Sequence, residues 1–165
     1  MKCLQKMHRT LVLVISAVIY ICHGIEINPE CSQLGQFLTL TNLETGVYAL
    51  RNDSLFNWNN AESFCRSHNL TLITLNSDTE FRVVWPYLNA NFWTSASYDQ
   101  TSEGFFWGTG ESLPLSSSFW ADQEPNDYLI AGRNACVFGA NLQLSDEDCR
   151  KPNGFSCELP EYCYI

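Results

Sequence analysis

Phe119 to Asp127 reads FWADQEPND, and it gathers a tryptophan, a carboxylate, a proline and a side-chain amide into the seven residues from Trp120 to Asn126. Pro125, between Glu124 and Asn126, sets the backbone in a turn and, with a cis peptide bond, aims both flanking side chains the same way. Two oxygen donors then point at one spot. Hard oxygen donors converging on a loop suit Ca²⁺, which takes carboxylate, amide, carbonyl and ligand hydroxyl oxygens.

Outward from this loop, the two ends of the chain differ in character. Lys2, Lys6 and Arg9 precede an apolar run from Leu11 to Cys22, and Cys22 and Gly24 put small residues where a signal peptidase cuts. Residues 1–24 are expected to be a secretory signal peptide. The competing reading, a membrane anchor, needs about 20 apolar residues and finds fewer here. Removing 24 of the 165 residues leaves 141, enough for one domain with a real core. The segment takes three of the nine basic residues and none of the 18 acidic ones, so the net charge moves from −9 to −12. Nucleic acid is excluded as a partner by that sign, because phosphate binding needs clustered Lys and Arg.

Of eight cysteines, Cys31, Cys65, Cys136, Cys149, Cys157 and Cys163 remain. An even set in an oxidising compartment implies three disulfides, for which six cysteines allow 15 connectivities. Zinc competes poorly, since no remaining pair has C-x₂-C spacing and only His68 survives among the histidines.

Residues 25–36 read as a lead-in, residues 37–51 as one or two early strands with a turn at Glu44 to Gly46. Asn57 is the expected N-cap of a helix that buries Trp58, Ala61, Phe64 and Cys65 and ends near Asn69. Leu70 to Leu75 reads as an inner strand. Ser77 and Glu80 form a capping box for a second helix with Phe81, Val84, Trp85 and Leu88 as its buried stripe, broken or kinked at Pro86. From Thr94 to Gly132 the pattern dissolves into Ser, Thr, Gly, Asp, Asn and Pro, and so long an irregular stretch is usually functional. Short strands resume at Ala135 to Phe138 and Gly154 to Glu158. Asn52 and Asn69 open sequons and are candidate glycosylation sites.

Several of these segments together resemble the C-type lectin domain family: NWNNAESFC (Asn57 to Cys65), FWTSA (Phe92 to Ala96), EGFFW (Glu103 to Trp107), FWADQEPND, NACVFG (Asn134 to Gly139), LSDEDC (Leu144 to Cys149) and FSCEL (Phe155 to Leu159). The resemblance implies a lectin domain over residues 37–159 with a C-terminal tail at 160–165. Its fold is α+β, with two helices, two small antiparallel sheets and a long ligand-bearing loop, stabilised by disulfides. It further implies Cys65 bridged to Cys157 and Cys136 to Cys149. Because the family's first and last strands pair, it allows Cys31 to join Cys163.

The family's calcium site implies Glu124, Asn126 and Asp146 as matching ligands. Asn134 stands where a Glu is usual, Ser145 where an Asn is usual, and Leu144 replaces a Trp. An accessory calcium site has echoes at Asp99, Glu103 and Asp127, although Ala135 occupies another of its ligand positions. Trp120 is the implied wall of the sugar loop. The EPN order implies mannose, fucose or N-acetylglucosamine, hence glycans or glycoproteins as partners of a secreted, extracellular lectin with Ca²⁺ as its cofactor. The alternative is a domain of the same fold that binds a protein or other ligand without metal.

An enzyme is the third class and the least supported. One histidine builds no triad unaided, and no sequence context raises the carboxyl pKa of Glu124 or Asp146 for glycoside hydrolysis. Taken alone, Asp146 to Asp148 also reads as a solvated acidic turn.

Overall fold

The Asn57 side chain accepts the Asn60 N–H at 2.8 Å and so satisfies one of the free donors that open helix α1 (Trp58–Ser67). Ala61 and Cys65, one turn apart, are buried, while Trp58 and Phe64 lie half-buried at the edge of the same stripe. The helix stops where Asn69 takes a positive φ of 57°, a conformation Asn tolerates. Helix α2 (Asp78–Val84) starts from Ser77, whose hydroxyl accepts the Glu80 N–H at 3.3 Å. Glu80 reaches back past Ser77 to the N–H of Asn76 at 3.1 Å. At Pro86 the chain tightens into a 3₁₀ turn, Trp85–Tyr87, because proline cannot donate the next helical bond.

These details come from a computed structural model that describes residues 28–31, 41–88, 91–130, 132 and 134–164. The expected signal peptide, most of the lead-in and the start of the first strand region lie outside the described residues.

The strands are β1 (Thr41–Leu43), β2 (Gly46–Phe56), β3 (Thr71–Leu72), β4 (Asn91–Asp99), β5 (Gly104–Phe106), β6 (Ser112–Leu113), β7 (Ala135–Ala140), β8 (Gln143–Asp148) and β9 (Asn153–Glu158). Strands expected in two separate sheets are joined into one mixed network. The joint is β4, which runs parallel to β9 through Phe92↔Gly154 and Trp93↔Phe155 and antiparallel to β7 and β5. A register shift between Trp93 and Ser97 lets β4 leave one partner for the next. On the far side β9 pairs with β2 and β3, which closes the end of the chain onto its start.

Two buried clusters flank this network. One, under the long loop, contains Phe92, Phe105, Trp107, Trp120, Val137 and Leu144. The other packs Ala61 and Cys65 of α1 against Leu72, Trp93, Phe155 and Cys157. Gly139 on β7 is required by close approach, since a Cβ there would stand 2.3 Å from the buried Phe92 ring. Disulfides join Cys65 to Cys157, Cys136 to Cys149 and Cys31 to Cys163. The residues beyond 159 do not trail free. Asn28 donates to the Cys163 carbonyl at 2.7 Å, and the Val47 N–H donates to the Tyr164 hydroxyl at 3.0 Å.

Three expectations need correction. The stretch after Trp93 does not dissolve at once, because β4 continues to Asp99. Its polar Thr94 and Ser95 are buried with their hydroxyls satisfied, Thr94 donating to the Val137 carbonyl at 2.9 Å and Ser95 sharing a 2.9 Å bond with Thr74. Only Thr71 and Leu72 of the Leu70–Leu75 run join the ladder as a named strand. Finally, Asp146 to Asp148 is no solvated turn. It belongs to β8, in which Leu144, Asp146 and Asp148 alternate into buried positions.

Candidate functional site

The loop is held from beneath before its polar residues are placed. The Trp120 ring is 6% exposed, lies edge-on to Phe105 at 5.1 Å and donates its indole N–H to the Pro114 carbonyl at 2.9 Å. It therefore supports the floor of the loop and presents little face to a ligand. Strand β8 clasps the chain on both sides of it, with Leu144 donating to the Phe119 carbonyl at 2.7 Å and accepting from Ala121 at 2.8 Å.

Beyond this clasp the chain turns sharply, with Gln123 at φ 67° and a cis peptide bond between Glu124 and Pro125. The two side chains flanking the proline meet, the Asn126 amide donating to Glu124 Oε1 at 2.7 Å. Asp146, only 4% exposed, lies under them. Its Oδ1 accepts the N–H groups of Asn126 at 2.7 Å and Asp127 at 3.0 Å, and its Oδ2 accepts that of Tyr128 at 2.6 Å. These bonds cap the 3₁₀ turn Asp127–Leu129. The Tyr128 ring completes the anchorage, 5.0 Å from Tyr98 and 5.6 Å from Phe105. In return Asp146 donates its own N–H to Glu124 Oε2 at 3.2 Å.

Electrostatically the site holds too much negative charge. Burial, followed by the adjacent Asp146 carboxyl and more distantly Asp127, lifts Glu124 from 4.5 to about 7. No such rise was expected from sequence, because it arises from residues brought together across the fold. It does not make a catalytic pair, since three backbone N–H groups occupy most of the roughly four lone-pair positions of Asp146.

This donor set fits a hard divalent cation. Glu124 and Asn126 converge, Asp146 braces them from beneath, and a cation would offset the burial and the neighbouring carboxyls that raise Glu124. Among the described residues no three His, Cys, Asp or Glu side chains form a group that could hold a metal ion. Asn134, exposed just before β7, and Ser145, half-buried between Leu144 and Asp146, occupy the two remaining expected positions.

Among the described residues the accessory positions form no group of three acidic side chains that could hold a metal ion. Asp99 caps its own hairpin, accepting from the Thr101 N–H at 2.8 Å and the Ser102 hydroxyl at 2.9 Å. The Thr101 bond, followed by that from Ser102, holds its carboxyl below the usual value. Glu103 is exposed in the same turn with φ 50°, whereas Asp127 belongs beside Glu124. Sequence reasoning missed Tyr128, whose signal was an aromatic residue directly after the acidic turn.

A concavity of about 380 Å³ is lined by none of these residues but by Tyr48, Trp58, Glu80, Glu111, Glu158 and Tyr164 among others. Burial, and then the Glu80 charge, push Glu158 up to about 8, although it accepts the Thr74 N–H at 3.1 Å. Of the sequon residues, Asn69 is exposed, while the Asn52 side chain lies outside the description.

The sequence profile of the Lectin C-type domain matches residues 54–159. P-selectin of Rattus norvegicus is 30% identical over 76 residues, 44% of this chain but only 10% of its own length. The cow C-type carbohydrate-recognition domain of CD23, solved in the presence of a GlcNAc2Man3 oligosaccharide, superposes with a TM-score of 0.62 at 22% identity, covering 72% of this chain and 91% of that one. A calcium-independent type II antifreeze protein superposes with the same TM-score of 0.62 at 18% identity, over 76% of this chain and 92% of its own.

Proposed function

The chain belongs to the C-type lectin domain family, and we propose that it is an extracellular, secreted lectin that binds glycans in a calcium-dependent manner at Glu124, Asn126 and Asp146. The observation that carries this is the Glu124–Pro125–Asn126 turn, whose two side chains meet at 2.7 Å over the buried Asp146. Calcium, when bound, supplies a positive centre that draws in a vicinal pair of sugar hydroxyls. With it in place Glu124 would accept a hydrogen bond from one hydroxyl and Asn126 would donate its amide N–H to the other, so one acceptor and one donor select the orientation of the diol. Asp146 holds the turn in place through the backbone of residues 126–128. Asn134 and Ser145 are the weaker contributors. The order Glu-Pro-Asn favours mannose, fucose or N-acetylglucosamine, and the role is binding rather than catalysis. Exposed Asn69 is the proposed glycan acceptor of the chain itself.

Retention on mannose resin in calcium, with elution by chelator, is the expected result. Flow-through in calcium rejects this proposal. The second reading, a domain that binds its ligand without metal, draws on the hydrogen bonds that already occupy Asp146 and on the calcium-independent neighbour of the same fold. Retention that survives chelator favours it.

A further inference from the structure

Three carboxylates share the concavity of about 380 Å³ with no base left to answer them. Glu80 of α2, Glu111 and Glu158 of β9 line it, and among the described residues Arg66 is its one basic side chain. Arg66 already pairs with Glu62 on its own helix at 2.5 Å, with 75% of its side chain exposed. Each carboxylate is braced through one oxygen. Glu158 Oε1 accepts the Thr74 N–H at 3.1 Å, Glu80 Oε2 accepts the Asn76 N–H at 3.1 Å and the Ser77 hydroxyl at 3.2 Å, and Glu111 Oε2 accepts the Asn76 side-chain amide. Among the described residues no hydrogen bond reaches the second oxygen of any of them, including that of Glu158, the most deeply buried of the three. Burial is the first cause that raises Glu158 and Glu80, and the charges then act in a row, Glu80 on Glu158 and Glu111 on Glu80. The row has no single focus, since no three acidic side chains among the described residues form a group that could hold a metal ion. Asn76 and Glu111 also line another concavity, so the two hollows adjoin at the end of the row.

We propose that this hollow binds a linear aliphatic polyamine, whose protonated amines meet the carboxylates of Glu158, Glu80 and Glu111 in turn. The site is separate from the lectin function, because Glu124, Asn126 and Asp146 do not line it. Charge spacing decides the class of ligand. A bare divalent cation needs its oxygens around one centre, whereas a polyamine carries its charges apart on a flexible chain and so matches a row. Each ammonium brings donors to oxygens that lack them. Tyr48, Trp58 and Tyr164 in the same lining attract ammonium groups held against their rings, and Leu72 and Pro160 give the methylenes apolar cover. A neutral sugar leaves the three charges unanswered, and an anion is repelled by them. Glu158, pushed up to about 8 by burial and then by Glu80, is largely protonated at pH 7, so an ammonium on its free oxygen drives the proton off. The other titratable groups facing it are Glu80, Glu111, the Tyr48 and Tyr164 phenols, both raised by burial, and the Glu62–Arg66 pair at the rim.

The test is calorimetric titration of the whole protein with spermidine at pH 7, in two buffers of different ionisation enthalpy so that released protons are counted. Spermidine is expected to release about one proton for each molecule bound. Butylamine, with a single charge, should bind at least about tenfold more weakly, as expected when charge-assisted hydrogen bonds are lost. Glu158→Gln keeps the shape of the side chain and its acceptor for Thr74, and is expected to remove the proton release and weaken spermidine about tenfold. Glu80→Gln should also weaken it. Glu103→Gln, at an exposed position outside the lining, should leave it unchanged. Absence of spermidine binding overturns the inference, as does equal affinity for butylamine. Binding that Glu158→Gln and Glu80→Gln leave intact, or that Glu103→Gln weakens equally, is diffuse attraction to a chain of net charge −9 and also overturns it.

Discussion

Asp146 and Glu124 both carry carboxylates into the site, yet their substitutions are expected to separate. Asp146→Ala strips the acceptor from three backbone N–H groups of the loop, at 2.6 to 3.0 Å in the native chain, and should cost about 2–4 kcal/mol. Glu124→Ala removes one of two crowded carboxyls and should leave thermal unfolding in chelator unchanged or shifted upward. Both are expected to abolish mannose retention, so a melting curve beside a resin assay distinguishes the brace from the ligand. At this scale the sequence was informative about residue type and less so about direction. That Glu124 and Asn126 meet was legible from the proline between them, and the place of Asp146 beneath them only from the resemblance of Leu144 to Cys149 to the family motif. The Trp120 ring was not, since an amphipathic aromatic suits a sugar wall and a core alike, and only its bond to Pro114 decides between them. The backbone bonds of Asp146 were equally hidden, because they link residues 18 to 20 positions apart.

Among the elements, the seam between β9, β3 and α2 carries a charge that the fold disfavours. Glu158 on β9 sits near Glu80 of α2, also raised by its burial, and the hydroxyls of Tyr48 and Tyr164 line the same concavity. A carboxyl raised above its unfolded value contributes stability that is complete below about 4.5 and is lost as pH rises through about 8. In calcium-free buffer the melting temperature should therefore fall between pH 5 and pH 8. Glu158→Gln should flatten that slope, as followed by circular dichroism on both proteins, and an unchanged slope would place the titration elsewhere. Both helices were legible through their caps, Asn57 and Ser77, because capping is chemistry local to four residues. The long reach of β4 was not. Its inward Thr94 and Ser95 read as loop residues until Val137 and Thr74 supply their partners from other elements.

For the molecule as a whole, three disulfides and a joined sheet hold a frame that outlasts any one feature of the loop. The Cys31–Cys163 bridge spans a sequence separation of 132, the longest of the three. Replacing both cysteines by serine should lower the unfolding free energy by about 3–5 kcal/mol in the chain-entropy account, with mannose retention preserved below the transition. Loss of retention in a folded variant would show that the ends of the chain shape the site. Asn134 and Ser145 bring less charge than the ligands usual at their positions, so a cation held by Glu124, Asn126 and Asp146 is bound weakly. Calcium titration by calorimetry tests it most directly. The expected dissociation constant is roughly 10⁻⁴–10⁻³ M, tightened in the Asn134→Glu, Ser145→Asn protein, with binding absent in Glu124→Ala. No calcium heat in the unaltered protein, and none in the doubly substituted one, would contradict it.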